Sequence, residues 1–215
     1  MPDGLRRNRW WPDVVAIKTA GSFVSRETLT RLESFCDLLR KWNHRINLIS
    51  RTDEADLWTR HVCDSLALVD LLPSEPSHAI DIGSGGGFPG LILAIATGVH
   101  FHLVESDQRK CAFLREAARA TGTSVTLHPC RIEDAKPPAA PVITARAVAP
   151  LPRLLTWAVP HLDDGGICLF PKGRTVEEEL ASAATDWRMR VERFTSPIDP
   201  SSTILRLSGI SRAAP

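Results

Sequence analysis

The chain has no tyrosine at all, only two methionines in 215 residues, and no C-x-x-C pair among its five cysteines. Without tyrosine, a nicotinamide-dependent oxidoreductase built around a tyrosine acid lacks its catalytic group. The cysteines, Cys36, Cys63, Cys111, Cys130 and Cys168, are odd in number and scattered. That pattern argues against a disulfide framework and against zinc, and it predicts buried free thiols in a reducing cytoplasm. No apolar run approaches the length of a membrane span, and the opening MPDGLRRNRWWPD is polar and basic, so a soluble protein with no membrane contact is expected. Net charge of one sign is also missing, since the formal total is +1. Near-neutrality neither requires nor excludes a nucleic-acid partner, because recognition depends on how charge is clustered. No internal repeat is visible, and a monomer is expected.

What is present is a concentrated glycine turn, HAIDIGSGGGFPG, from His78 to Gly90. An apolar run carrying Asp81 stops at Gly83, and Gly85, Gly86 and Gly87 follow before an apolar helical pattern over Leu91–Ala96. This reads as strand, turn and helix, with glycines where a Cβ would obstruct the reversal or a ligand lying on the main chain. Two registers fit. Gly85, Gly87 and Gly90 match the dinucleotide spacing G-x-G-x-x-G, while Asp81 with Gly83, Gly85 and Gly87 matches the acidic-x-G-x-G-x-G pattern of S-adenosyl-L-methionine (AdoMet) methyltransferases. Pro89 removes a donor that a pyrophosphate would want. The Asp81 carboxylate suits a cationic amino-acid or sulfonium ligand and repels a diphosphate. Both observations favour the second register.

Residues 1–25 read as a basic, flexible arm, with Arg6, Arg7 and Arg9 beside Trp10 and Trp11. Residues 26–73 read as a helical part packed on the core. Ser25 is placed to cap a helix carrying Leu29, Leu32, Phe35, Leu38, Leu39 and Trp42, and a second helix is expected over about 54–72. Arg40, Lys41, Arg45, Arg51 and Arg60 make this region's exposed side mostly positive, which a solvated face explains about as well as a phosphate-binding one. Trp42 and Trp58 stand near these cations and are candidates for base stacking. Residues 74–215 then alternate, with strands at 79–82, 100–105, 125–128, 141–145 and 167–170. Helices are expected at 107–121, 151–162 and about 176–187, and two extended pieces at 189–194 and 203–207 can close a hairpin. This is α/β: a mostly parallel, doubly wound sheet covered on both faces.

Ligands of such sheets bind beyond the carboxyl ends of the strands. The second end supplies Glu105, about twenty residues after the glycines, where a carboxylate takes ribose hydroxyls. The run CRIEDA supplies Ile132 for an adenine face and Glu133 for its amino group. Arg146 and Lys172 follow the fourth and fifth strands, placed to meet a nucleic-acid phosphate or a guanine O6 edge, or to pair with Asp81 or Glu105. His61, beside Val62 and Leu66, reads as a satisfied core or capping residue.

The runs RHVCDSLAL, DIGSGGGFPG, RIED, TARAVAPL and FPKGR, in this order and spacing, resemble the bacterial small-subunit rRNA methyltransferase G family, also called glucose-inhibited division protein B. The likeness covers about Leu38 to Thr175. It implies a class I AdoMet-dependent methyltransferase, Rossmann-like in fold, with a helical N-terminal extension. The implied reaction is methylation of N7 of a guanine in 16S rRNA, presented as free rRNA or within the small ribosomal subunit. By the same resemblance Gly83 and Phe88 contact AdoMet, Ile132 and Glu133 its adenosine end, and Arg146 the edge nearest the reacting centre. His61, Asp64 and Ser65 match a family motif close to the cofactor pocket. Pro171, before Lys172, departs from the family's usual apolar residue and bears on the local lysine geometry. Alternatives are a methyltransferase for a small molecule or another RNA, and a non-catalytic RNA-binding module.

Overall fold

The computed structural model describes residues 24–213; most of the expected basic arm lies outside them. Helix α1 (Arg26–Asn43) starts where the sequence places it, with Ser25 Oγ accepting from Thr28 N. Its face of Leu32, Phe35, Cys36 and Leu39 is buried. Trp42, offered above as a base-stacking residue, instead packs its ring against Phe113 at 6.0 Å, and Trp58 also packs against the core.

The single second helix expected at 54–72 is four short pieces. Helix α2 (Arg51–Glu54) is followed by a π-helical turn over Trp58–Cys63, then α3 (Asp64–Leu66) and a 3₁₀ turn over Val69–Leu71. The reason lies in the spacing of the core residues. Leu57 and Val62, both fully buried, are five positions apart, which an α-helix would splay round its axis and a wider turn brings onto one side.

The sheet has seven strands: β1 (Ala79–Ile82), β2 (Phe101–Val104), β3 (Val125–His128), β4 (Ala140–Ala145), β5 (Leu162–Lys172), β6 (Trp187–Thr195) and β7 (Thr203–Arg212). Their order is β3-β2-β1-β4-β5-β7-β6, parallel through β5 and antiparallel for β7 and β6. Helices α4 (Gly90–Thr97) and α5 (Gln108–Ala120) join α1 in one apolar cluster with Ala79, Phe101, Leu103, Val142 and Leu169. On the other side α6 (Leu151–Ala158) and α7 (Val176–Ala183) share a cluster with Ile80, Ile82, Ile143, Cys168 and Phe170. Alternation along each strand therefore assigns side chains to one face or the other.

Several boundaries differ from the expected ones, β7 running on to Arg212 where an end at 207 is expected. α6 gives way to a 3₁₀ turn at Val159–His161, where Pro160 lacks the donor a continuing helix needs. β5 begins at Leu162 rather than 167 because its pairing with β4 slips across Asp163–Gly166, Gly165 taking φ 77°. α7 stops at Ala183 and Trp187 opens β6. Among the described residues no helix is long and apolar enough to cross a membrane.

Candidate active site

The strand order reverses between β2-β1 and β4-β5, and a cavity of about 390 Å³ opens there beyond the carboxyl ends of β1, β2 and β4. The glycine turn forms its floor. Gly83, Gly85 and Gly87 take φ of 69°, 53° and 92°, a region that L side chains avoid. A Cβ on Gly83 would lie 2.5 Å from Val148 Cγ2, and one on Gly86 3.3 Å from the Leu48 carbonyl oxygen.

Glu105, just past β2 and 8% exposed, closes the turn. One carboxylate oxygen accepts from Gly85 N at 2.9 Å and the other from Asp107 N at 2.7 Å. Ile132 and Glu133 line the cavity with Cys130 and Trp157. Trp157, on the partly buried side of α6, was not singled out from the sequence. Its place at the edge of the apolar stripe was the available signal.

Arg146 follows β4, its side chain 16% exposed. Its guanidinium donates to His61 Nδ1 at 2.6 Å, to Asp64 Oδ2 at 3.3 Å and to the Arg60 carbonyl oxygen at 3.3 Å. The Phe88 ring faces both partners, with its centroid 4.9 Å from that of His61 and 5.1 Å from the Arg146 guanidinium carbon. Asp64 also accepts from Ser196 Oγ, and Ser65 Oγ donates to the His61 carbonyl oxygen at 2.6 Å.

His61 is thus not the satisfied packing residue expected. Burial, helped by the Arg146 charge, lowers its pKa to about 4, so the ring is neutral near pH 7. Because Arg146 can only donate, Nδ1 is the acceptor and the proton sits on Nε2. That nitrogen is buried without a hydrogen-bond partner, 3.9 Å from Asp53 Oδ2.

Two expected site residues do not reach this cavity, for the same reason of strand parity. Asp81 points to the α4 face, fully buried beneath Gly90, whose added Cβ would meet the Asp81 side chain at 2.4 Å. One oxygen accepts from Thr144 Oγ1 at 2.6 Å and the other has no partner, and burial raises the pKa to about 6. Lys172 points to the α7 face, 8% exposed, where Nζ donates to Glu179 Oε2 at 2.7 Å and to the Ala149 carbonyl oxygen at 2.9 Å. Glu179 accepts in turn from Leu151 N, so the lysine ties the loop after β4 to α7. Lys172 and Arg146 do share a neighbouring cavity of about 430 Å³, whose wall with the first is Arg146–Val148.

Comparison with known proteins adds the lineage. Residues 28–198 match the family model described as rRNA small subunit methyltransferase G. A Granulibacter bethesdensis protein of that name is 55% identical over 193 residues, covering 90% of this chain and 91% of its own. Another from Gluconobacter oxydans is 55% identical over 189 residues, covering 88% and 97%. Among solved structures, an O-methyltransferase from Bacillus cereus in complex with S-adenosylhomocysteine superposes with a TM-score of 0.57. It does so at 13% identity, over 83% of this chain and 90% of that one. The N-methyltransferase NodS from Bradyrhizobium japonicum gives 0.53 at 14% identity over 81% and 97%. The fold is that of class I AdoMet-dependent methyltransferases, as expected. The chain belongs to the rRNA small subunit methyltransferase G family.

Proposed function

We propose that this chain transfers the methyl group of AdoMet to N7 of a guanine in 16S rRNA. Family membership supports the coarser statement, an rRNA methyltransferase of the small subunit. The observation that carries the finer one is the state of the cavity's potential bases. His61 offers its lone acceptor nitrogen to Arg146, and both oxygens of Glu105 are held by backbone amides. Taking a proton would cost each of these bonds, and Glu133, the other carboxylate of the lining, is assigned to the adenine amino group, which favours a nucleophile that needs none removed. Guanine N7 carries its own lone pair at neutral pH.

The cavity's chemistry fits an adenosyl amino acid. Gly83 and Gly85 expose main chain where a side chain would fill the floor. Beyond its two amide bonds Glu105 keeps a lone pair on each oxygen at the turn, suited to two ribose hydroxyls. Ile132 and Trp157 offer apolar surface to the adenine, Glu133 an acceptor for its amino group, and Arg146 a cation at the amino-acid end. When bound, AdoMet supplies an electrophilic methyl carbon on a sulfonium. The chain's own task is positioning, and holding N7 in line with that carbon contributes roughly 7–11 kcal/mol of barrier lowering. Arg146, at the boundary between the amino-acid end and the incoming guanine, serves both, Phe88 and His61 fix its guanidinium, and Lys172 holds the intervening loop. Asp81 supports the turn from below and makes no ligand contact.

Mapping 7-methylguanine in 16S rRNA from cells with and without the gene tests the reading. The mark should vanish on deletion, return with the wild-type gene, and fail to return with Arg146→Ala or Glu105→Gln. A modification unchanged by deletion overturns it.

A further inference from the structure

A run of three clefts, joined by the residues they share, crosses the surface to the cofactor cavity. The outermost, about 660 Å³, is lined by Arg40, Arg45 and Arg51 with Asn43, Asn47 and Glu54. Arg45 and Asn47 also line the next, about 300 Å³, together with Asp107, Arg109 and Lys110. Lys110 in turn lines the cofactor cavity. Five cations thus face two carboxylates along one track. Asp107 and Arg109 pair with each other, Arg40 pairs with Asp37 at 3.6 Å, and Glu54 accepts from Asn43 Nδ2 at 3.0 Å. Among the described residues, Arg45, Arg51 and Lys110 make no side-chain hydrogen bond or ion pair, and Arg45 and Arg51 are exposed.

We infer that this track holds the phosphate backbone of the substrate RNA strand leading to the modified nucleotide; the inference rests on the rRNA reading above. A line of guanidinium and ammonium groups that ends at a methyl-donor cavity matches a polyanion whose one base is being modified. No tryptophan or phenylalanine lines the outer two clefts, so they offer bases no large stacking platform, and their cations are best matched by phosphate. The overall charge of +1 hides the track because acidic residues elsewhere cancel it.

The test is a double charge reversal, Arg45→Glu with Arg51→Glu, against a charge-matched control, Arg119→Glu with Arg190→Glu. The control residues are exposed and line none of these clefts. Affinities for a 16S rRNA transcript and for purified small ribosomal subunits are measured across a salt series, alongside S-adenosylhomocysteine affinity. The track variant should bind RNA at least roughly tenfold more weakly at low salt. Its log K against log salt slope should be shallower by about 1.4, or about 0.7 per lost single-strand phosphate. Its S-adenosylhomocysteine affinity should stay at the wild-type value. A slope equal to wild type, or an equal loss in the control, overturns the proposal. Weaker binding to the subunit with unaltered binding to the transcript overturns it too, and assigns the track to a ribosomal protein. Wild-type enzyme that leaves 16S rRNA unmethylated would instead refute the reaction itself, whatever the variants do.

Discussion

Replacing Asp81 by asparagine keeps the side-chain shape and removes a fully buried charge. Burial raises its pKa from 3.8 to about 6. Between those values the native state holds more protons than the unfolded chain, so this group makes stability decline as pH rises through that window. For a shift of that size burying the group costs the fold about 2 kcal/mol at pH 5, where it is mostly protonated, and about 3 kcal/mol at pH 8, where it is ionised. Asparagine abolishes that dependence. It keeps an acceptor for Thr144 Oγ1, 2.6 Å away, and puts a donor where the second oxygen now has no partner. The unsatisfied donor costs about 1–3 kcal/mol at any pH, which leaves the absolute sign of the change open while fixing its slope. Urea unfolding of both proteins should therefore show the variant gaining about 1 kcal/mol on wild type between pH 5 and pH 8. An unchanged gap would mean that the folded pKa of Asp81 lies at or below its unfolded value, so that the site does not penalise the charge.

Gly83→Ala drives a Cβ to within 2.5 Å of Val148 at φ 69°. It should destabilise the chain by about 1–3 kcal/mol and weaken S-adenosylhomocysteine binding in calorimetry, whereas normal binding would mean that the Val148 wall yields freely. His61→Phe keeps a ring on Phe88 and removes the acceptor for Arg146. A lost charged hydrogen bond of about 1.5–3 kcal/mol should weaken S-adenosylhomocysteine binding roughly tenfold. His61→Asn, whose amide oxygen can accept, should recover part of it, and undiminished binding by the Phe variant would show that Arg146 needs no such partner. Acid should be destabilising through the histidines. Burial lowers His61 and His102 to about 4 and also lowers His128, the last two joined by a 3.0 Å hydrogen bond. Their neutral forms stabilise the fold above pH 6.5, and that contribution is lost as pH falls towards about 4. His102→Asn should flatten the fall in urea midpoint between pH 7 and pH 5, and an equally steep fall would place the acid sensitivity elsewhere.

The sheet was legible where β1, β2 and β3 are short runs ended by Gly83, Glu105 and Pro129, and because βα alternation leaves few topologies. Helix α5 ends where a glycine stop is visible in the sequence: Gly122, next after the C-cap Thr121, takes φ 60°. What could not be read was everything set by a departure from one period. The π-helical turn at Trp58–Cys63 answers a five-residue core spacing that looks like an imperfect α-helix until the partner surface is known. The slip in β5 at Asp163–Gly166 depends on its pairing with β4. In both places tertiary packing decides between local forms of similar intrinsic free energy.

The site was legible to the extent that a residue lies beyond a strand rather than inside one. Glu105, Ile132, Glu133 and Arg146 all follow the last paired residue of their strands and reach the cavity. Asp81 and Lys172 lie within strands, where parity sends each side chain to a helix-covered face: Asp81 to Gly90 of α4, and Lys172 to Glu179 of α7. Alternation is visible in the sequence, since Ile80 and Ile82 flank Asp81 and share the face opposite to it. A carboxylate at such a position has only packed neighbours to meet, and charge complementarity with a ligand cannot be inferred from its nearness to a glycine turn. His61 is the converse case. It follows the apolar pattern of a core residue, yet the wider turn that buries Leu57 and Val62 places its ring against both Phe88 and Arg146. The same departure from helical period that hid the element also hid the residue that orients the arginine.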